Sequence, residues 1–115
     1  MITLPVVAQA PGAKMVFKGE TDVNMGVYRQ GEEAVHYFEF TNTGTQALQI
    51  YEVRTTCSCT ASEFPEKPVK PGESAKIKVT FDTHDKLGTY DKGVNIYSNA
   101  GEANLIITIT VTERL

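Results

Sequence analysis

The feature that most constrains this chain is an alternation of apolar and polar residues with period two, interrupted by a turn signal about every 8–12 residues. It is clearest from Ser74 to Asp82, where Ala75, Ile77, Val79 and Phe81 fall on one side and Lys76, Lys78 and Thr80 on the other. Successive side chains of an extended strand point to opposite faces, so this pattern predicts a strand with one face buried. Ala34 to Asn42 repeats it with Ala34, His36, Phe38 and Phe40, and Ala103 to Thr112 with Leu105, Ile107, Ile109 and Val111. No stretch carries the 3.6-residue period of an amphipathic helix.

The weaker segments fit between these three. Met15 to Lys18 reads as a short first strand ended by Gly19, and Thr21 to Tyr28 as a second extended piece bent near Gly26, before the polar turn Arg29-Gln30-Gly31-Glu32. Asn42-Thr43-Gly44-Thr45-Gln46 is predicted to close a hairpin onto a return strand from Ala47 to Thr55. Leu48 and Ile50 face inward there, and Val53 reaches the same face only if an irregularity precedes it. Phe64 to Glu73 holds three prolines and a Pro-Gly pair, which reads as a loop or edge-like segment suited to a crossing between sheets. Thr83 to Tyr90 is a polar connection turning at Gly88, Lys92 to Ser98 brings Val94 and Ile96 inward, and Asn99 to Glu102 is a further hairpin turn. The expectation is an all-β, two-sheet antiparallel β-sandwich of about seven strands.

A chain of 115 residues is enough for one hydrophobic core. A net charge of −3 and a pI near 5.3 leave no electrostatic footprint for nucleic acid or an anionic membrane. No apolar run approaches the roughly 20 residues that span a bilayer as a helix. The opening residues, mostly apolar and closing with Ala8-Gln9-Ala10, have the small-x-small pattern of a signal-peptidase site. Residues 1–13 are read either as a leader remnant or as a disordered N-terminus, and residues 14–115 as the sandwich domain. The first reading places the protein in the periplasm or otherwise outside the cytoplasm, where a disulfide persists.

Both cysteines lie in Thr55-Thr56-Cys57-Ser58-Cys59-Thr60, and this is where chemistry could reside. In an extended strand, residues two apart sit on one face about 6.6 Å apart, while a disulfide needs its Cβ atoms within about 4.5 Å, so a bridge requires a sharp turn at Ser58. Such a bridge would be strained and easily reduced. A low-pKa thiol would need a cation, for which Arg54 is the nearby candidate. Alternatively the two thiolates grip a soft metal such as Cu(I) or Zn(II), with His36, His84, Met15 or Met25 completing the set, although no spacing forces these to converge. The plainest reading makes both cysteines small apolar residues at a strand end. Asp82, Asp85 and Asp91 flank one loop but lack the calcium-loop pattern.

Three segments together carry a resemblance: Phe38-Glu39-Phe40-Thr41-Asn42-Thr43-Gly44; Leu48 and Ile50 leading into Thr55 to Thr60; and Val69-Lys70-Pro71-Gly72-Glu73-Ser74 before Ile77 to Asp82. The sequence resembles the bacterial domain-of-unknown-function family DUF1573, exported immunoglobulin-like domains similar to the Hydin and major sperm protein group, from about Phe17 to Val111. The resemblance implies an immunoglobulin-like sandwich serving as a scaffold or adhesion module without enzymatic activity.

The sequence holds no Ser-His-Asp set, phosphate-cradling glycine loop or metalloprotease helix, and nothing in it requires a cofactor. The leading expectation is a non-enzymatic binding or scaffold module of the bacterial cell envelope with a protein or glycan partner. The alternative is a thiol-based copper, zinc or redox carrier using Cys57 and Cys59. Tyr28, Tyr37, Tyr51, Tyr90 and Tyr97 are candidate contact residues, because tyrosine is favoured at interfaces.

Overall fold

A computed structural model of the chain describes residues 12–56 and 59–114. The described residues form eight strands and no helix: β1 (Met15–Phe17), β2 (Asp22–Arg29), β3 (Glu33–Asn42), β4 (Ile50–Thr55), β5 (Thr60–Glu63), β6 (Ser74–Asp82), β7 (Gly88–Ser98) and β8 (Gly101–Thr112). They make two four-stranded sheets, ordered β1-β3-β6-β5 and β2-β8-β7-β4. The leader-like pattern of the first ten residues lies outside the described residues.

The predicted inward faces meet between the sheets. Phe38, Phe40, Ile77, Val79 and Phe81 come from one sheet and Val94, Ile96, Leu105, Ile107, Ile109 and Val111 from the other, all buried. Removing each large side chain from water contributes about 1.5–3 kcal/mol, which is why period-two alternation on both walls is sufficient to drive this architecture. The longest ladders are β7 with β8 and β3 with β6, the latter in unbroken register from Glu33↔Asp82 to Thr41↔Ser74.

The structure corrects the expectation in several places. Eight strands form rather than about seven, because Thr60–Glu63 is a short strand of its own on β6. The sandwich is not wholly antiparallel, since β2 runs parallel to β8. Asn42 to Gln46 does not close a hairpin: β3 and β4 lie in different sheets, so this turn is a crossover. The proline-rich segment joins β5 to β6, neighbours in one sheet, and does not cross between sheets. The return strand begins at Ile50, with Leu48 held by an isolated bridge to Val69, and the expected irregularity falls between Ile50 and Glu52. β7 begins at Gly88, earlier than the expected Lys92.

Candidate functional site

The cysteine segment occupies the corner where the chain leaves one sheet for the other. β4 ends at Thr55 on the edge of one sheet and β5 starts at Thr60 on the edge of its partner, so the crossing takes only the residues between. Backbone pairing fixes both ends of the corner. Thr56 N donates to Gly93 O at 3.2 Å, the Thr56 hydroxyl accepts from Gly93 N at 3.2 Å, and Asp82 N donates to Cys59 O at 2.7 Å. The Thr55 hydroxyl bridges the corner by donating to Thr60 O at 3.1 Å. Cys59 is 9 % exposed, its sulfur is engaged in a disulfide, and it lies 3.9 Å from the buried Thr60 hydroxyl. Cys57 and Ser58 lie outside the described residues.

The groups expected to serve this corner are held elsewhere. Arg54 points to the outer face of its sheet, where Nε donates to Glu52 Oε2 at 2.7 Å and the guanidinium sits 5.4 Å from the Tyr97 ring. The hydrogen bond and charge of Glu52 raise its pKa above the ordinary arginine value. Arg54 is thus committed to a carboxylate. His36 is on the inner face of β3, edge-on to Phe38 at 4.6 Å, while His84 is exposed after β6 with its backbone N–H capped by Asp82 Oδ1 at 2.9 Å. Met15 and Met25 pack against the core from different sheets. Among the described residues no three His, Cys, Asp or Glu side chains gather as a metal site. Asp91 accepts from the Thr108 hydroxyl at 2.7 Å on the outer face of β7 and β8, away from the Asp82 cap.

The tyrosines do not form one surface. Tyr28 and Tyr90 pack against the core, Tyr37 is exposed on the outer face of β3, Tyr51 sits at the β4 irregularity, and Tyr97 lies under Arg54 on the opposite sheet.

What sequence reasoning missed is the organising role of Asn42. This fully buried carboxamide accepts from Lys14 N at 3.1 Å and Gly44 N at 2.9 Å, and donates to Gln46 O and Val69 O, each at 2.8 Å. Its backbone joins the Pro-Gly turn: Gly72 N donates to Asn42 O at 2.7 Å and Asn42 N donates to Glu73 O at 2.9 Å. The two most recognisable sequence motifs are therefore two halves of one backbone junction. The available signal was the end of an alternating strand in Asn-x-Gly, where an inward-facing asparagine is otherwise costly.

Comparison with known proteins agrees with this architecture. The chain is similar to a protein of unknown function from Porphyromonas gingivalis (TM-score 0.76, 18% identity, covering 92% of this chain and 50% of that one). It is also similar to PapD-like domain 7, an ASH domain, of human CEP192 (TM-score 0.76, 11% identity, covering 100% and 96%). A weaker likeness is to the VesB protease of Vibrio cholerae (TM-score 0.58, 16% identity, covering 86% and 32%). The chain thus spans half the length of the Porphyromonas protein. No curated protein sequence matches it. The family model described as protein of unknown function (DUF1573) matches residues 15–112, from the first strand to the last residue of β8, and the chain belongs to that family.

Proposed function

We propose that this domain is a non-enzymatic binding or scaffold module of the bacterial cell envelope, with a protein or glycan partner. The observation that carries the reading is the recurrence of the same sandwich as one segment of longer chains, half of the Porphyromonas protein and about a third of VesB. A sandwich that forms one segment of longer chains fits a module that contributes a surface to a larger protein. Export is supported by the disulfide at Cys59, a bond that persists in oxidising compartments, and by the Ala8-Gln9-Ala10 pattern.

A second reading keeps Cys57 and Cys59 as a thiol-based copper, zinc or redox carrier. It is favoured by one observation, the placement of Cys59 at the corner where the chain passes from the edge strand of one sheet to the edge strand of the other. Anaerobic titration of the reduced protein with Cu(I) and Zn(II), followed by native mass spectrometry, separates the two. The module reading expects no stoichiometric metal. Uptake of one ion per chain that disappears in both Cys57→Ser and Cys59→Ser would replace it with the carrier reading. Osmotic-shock fractionation of the bacterial cells tests the compartment, and recovery in the cytoplasm with free thiols would refute export.

A further inference from the structure

We propose that the edge of β3 that no described strand covers, where the sandwich opens between β3 and β2, receives an extended segment of a partner protein, which inserts apolar side chains between the sheets. The proposal rests on reading the domain as a binding module and names its partner class. β1 covers β3 only from Phe40 to Asn42, and the last contact on that side is Lys18 N donating to Glu39 O at 2.9 Å. The chain then turns away at Gly19 to begin β2 in the other sheet. From Glu33 to Phe38, no strand among the described residues pairs with β3 on this side, although its register with β6 is unbroken. Because Glu39 O points outward to Lys18, the period of two directs the N–H and C=O of Val35 and Tyr37 to the same open side.

A cleft of about 390 Å³ lies along this edge, walled by Phe17 and Phe38 from one sheet and Val23 from the other, with His36 in its lining. A strand continuing the line of β1 would bond to Val35 and Tyr37 and turn every second side chain into that cleft, opposite Phe38 and His36. This is strand addition, with backbone bonds giving affinity and pockets for alternate side chains giving selectivity.

The second edge at the cleft is closed. β2 carries a register shift between Asn24 and Gly26, and Gly26 N donates to the Asn24 side chain at 2.8 Å, so a bulge and a side-chain cap blunt it. β3 has neither device. At the mouth, Lys18 is held by Glu39 at 3.3 Å, while Glu20 forms no ion pair among the described residues. The local field is acidic, which selects an occupant with apolar residues at alternate positions and a lysine or arginine flanking them.

The test uses ¹⁵N-labelled protein and a short synthetic peptide alternating Leu and Thr with a Lys at each end. The expected result is saturable amide shifts at Val35, Tyr37 and Val23, with hydrogen exchange at the Val35 and Tyr37 amides slowed about tenfold or more. A peptide N-methylated on its bonding edge should leave both amides unchanged. Tyr37→Pro removes an outward N–H without removing a β6 bond, and should abolish binding while its β6 ladder stays protected. Absence of shifts in the wild-type protein, or equal shifts with the N-methylated peptide, overturns the proposal; the metal titration tests the module reading separately. Dimerisation seen in sedimentation and lost in Tyr37→Pro would assign the edge to a second copy of this chain and overturn the choice of a foreign strand.

Discussion

The side-chain amide of Asn42 donates to the carbonyl of Val69 at 2.8 Å, joining segments that lie 27 residues apart. The same carboxamide holds Lys14 N, Gly44 N and Gln46 O. One buried polar side chain therefore ties together the approach to β1, the crossover after β3 and the proline-rich segment. Leu48 and Val69 complete the junction by exchanging backbone bonds in both directions at 2.8 Å.

Asn42→Leu keeps the volume and removes every side-chain bond, leaving the buried Val69 O one donor short and the half-buried Lys14 N, Gly44 N and Gln46 O without that partner. The expected loss is roughly 1–3 kcal/mol in urea denaturation, because four hydrogen bonds are lost and their partners recover only part of their solvation. Asn42→Asp retains the acceptor but turns charge toward the Gln46 and Val69 carbonyls. Burial raises such a carboxyl above its unfolded value near 4, so the native state binds more protons and stability falls as pH rises past that value. A variant stability independent of pH between 4 and 7 would contradict the assigned geometry.

Gly44→Ala and Gly72→Ala separate close approach from backbone strain. A Cβ at Gly44 would overlap Gly12 O, and it would stand 2.7 Å from Lys14 N, both backbone atoms, so the segment from Gly12 to Lys14 must shift to make room. At Gly72 the space is open, but φ is +85°, in the second central position of the Lys70-Pro71-Gly72-Glu73 turn closed by Glu73 N donating to Lys70 O at 3.0 Å. Gly72→Ala is expected to cost about 1 kcal/mol. Gly44→Ala should cost roughly 2–4 kcal/mol and expose the Thr43 and Thr45 amides to exchange, since their acceptors Lys14 O and Gly12 O lie on the displaced segment.

How much of this was legible follows from what alternation encodes. Period two reports which face of a strand is buried, so the inward residues of β3, β6, β7 and β8 could be read directly. It does not report which sheet a strand joins. Asn42-Thr43-Gly44 has the same composition in a hairpin and in a crossover, and the difference lies in whether Asn42 turns its carboxamide outward or, as here, into the core. β5 is too short to show a period, with Thr60 buried and Ala61 exposed. The parallel pairing of β2 with β8 joins residues near opposite ends of the chain, and no local signal specifies it. At the cysteine corner the motif was visible, but the lock formed by Thr56 and Gly93 depends on a neighbour 37 residues away.

Thr83 provides a second buried lock, at the opposite end of β3 from Asn42. Its hydroxyl donates to Glu32 O at 2.6 Å and accepts from Gly31 N at 3.0 Å, fixing the turn between β2 and β3. Thr83→Val preserves shape and strands both backbone groups, for an expected loss of roughly 1–3 kcal/mol. Thr83→Ser keeps the hydroxyl and should recover most of it, leaving only the cost of a missing methyl, about 1 kcal/mol. Equal losses in the two variants, measured by thermal unfolding, would show that packing rather than hydrogen bonding sets the contribution of this site.

Reduction of the disulfide at Cys59 should have a small effect on stability and a local one on structure. In a bridge to Cys57 the ring would enclose three residues, and the constraint on the unfolded chain would be only about 1.6 kcal/mol. The ends of the corner are held independently, by Thr56 against Gly93 and by Cys59 O against Asp82 N. The urea midpoint is therefore expected to fall by the amount that this energy implies while the slope m stays unchanged, because no additional surface opens in the native state. Faster exchange should be confined to the Thr56, Gly93 and Asp82 amides. A change in m, or loss of protection along β5 and β6 as far as Val79, would mean that the bridge holds β5 onto its sheet and that the corner's backbone bonds depend on it.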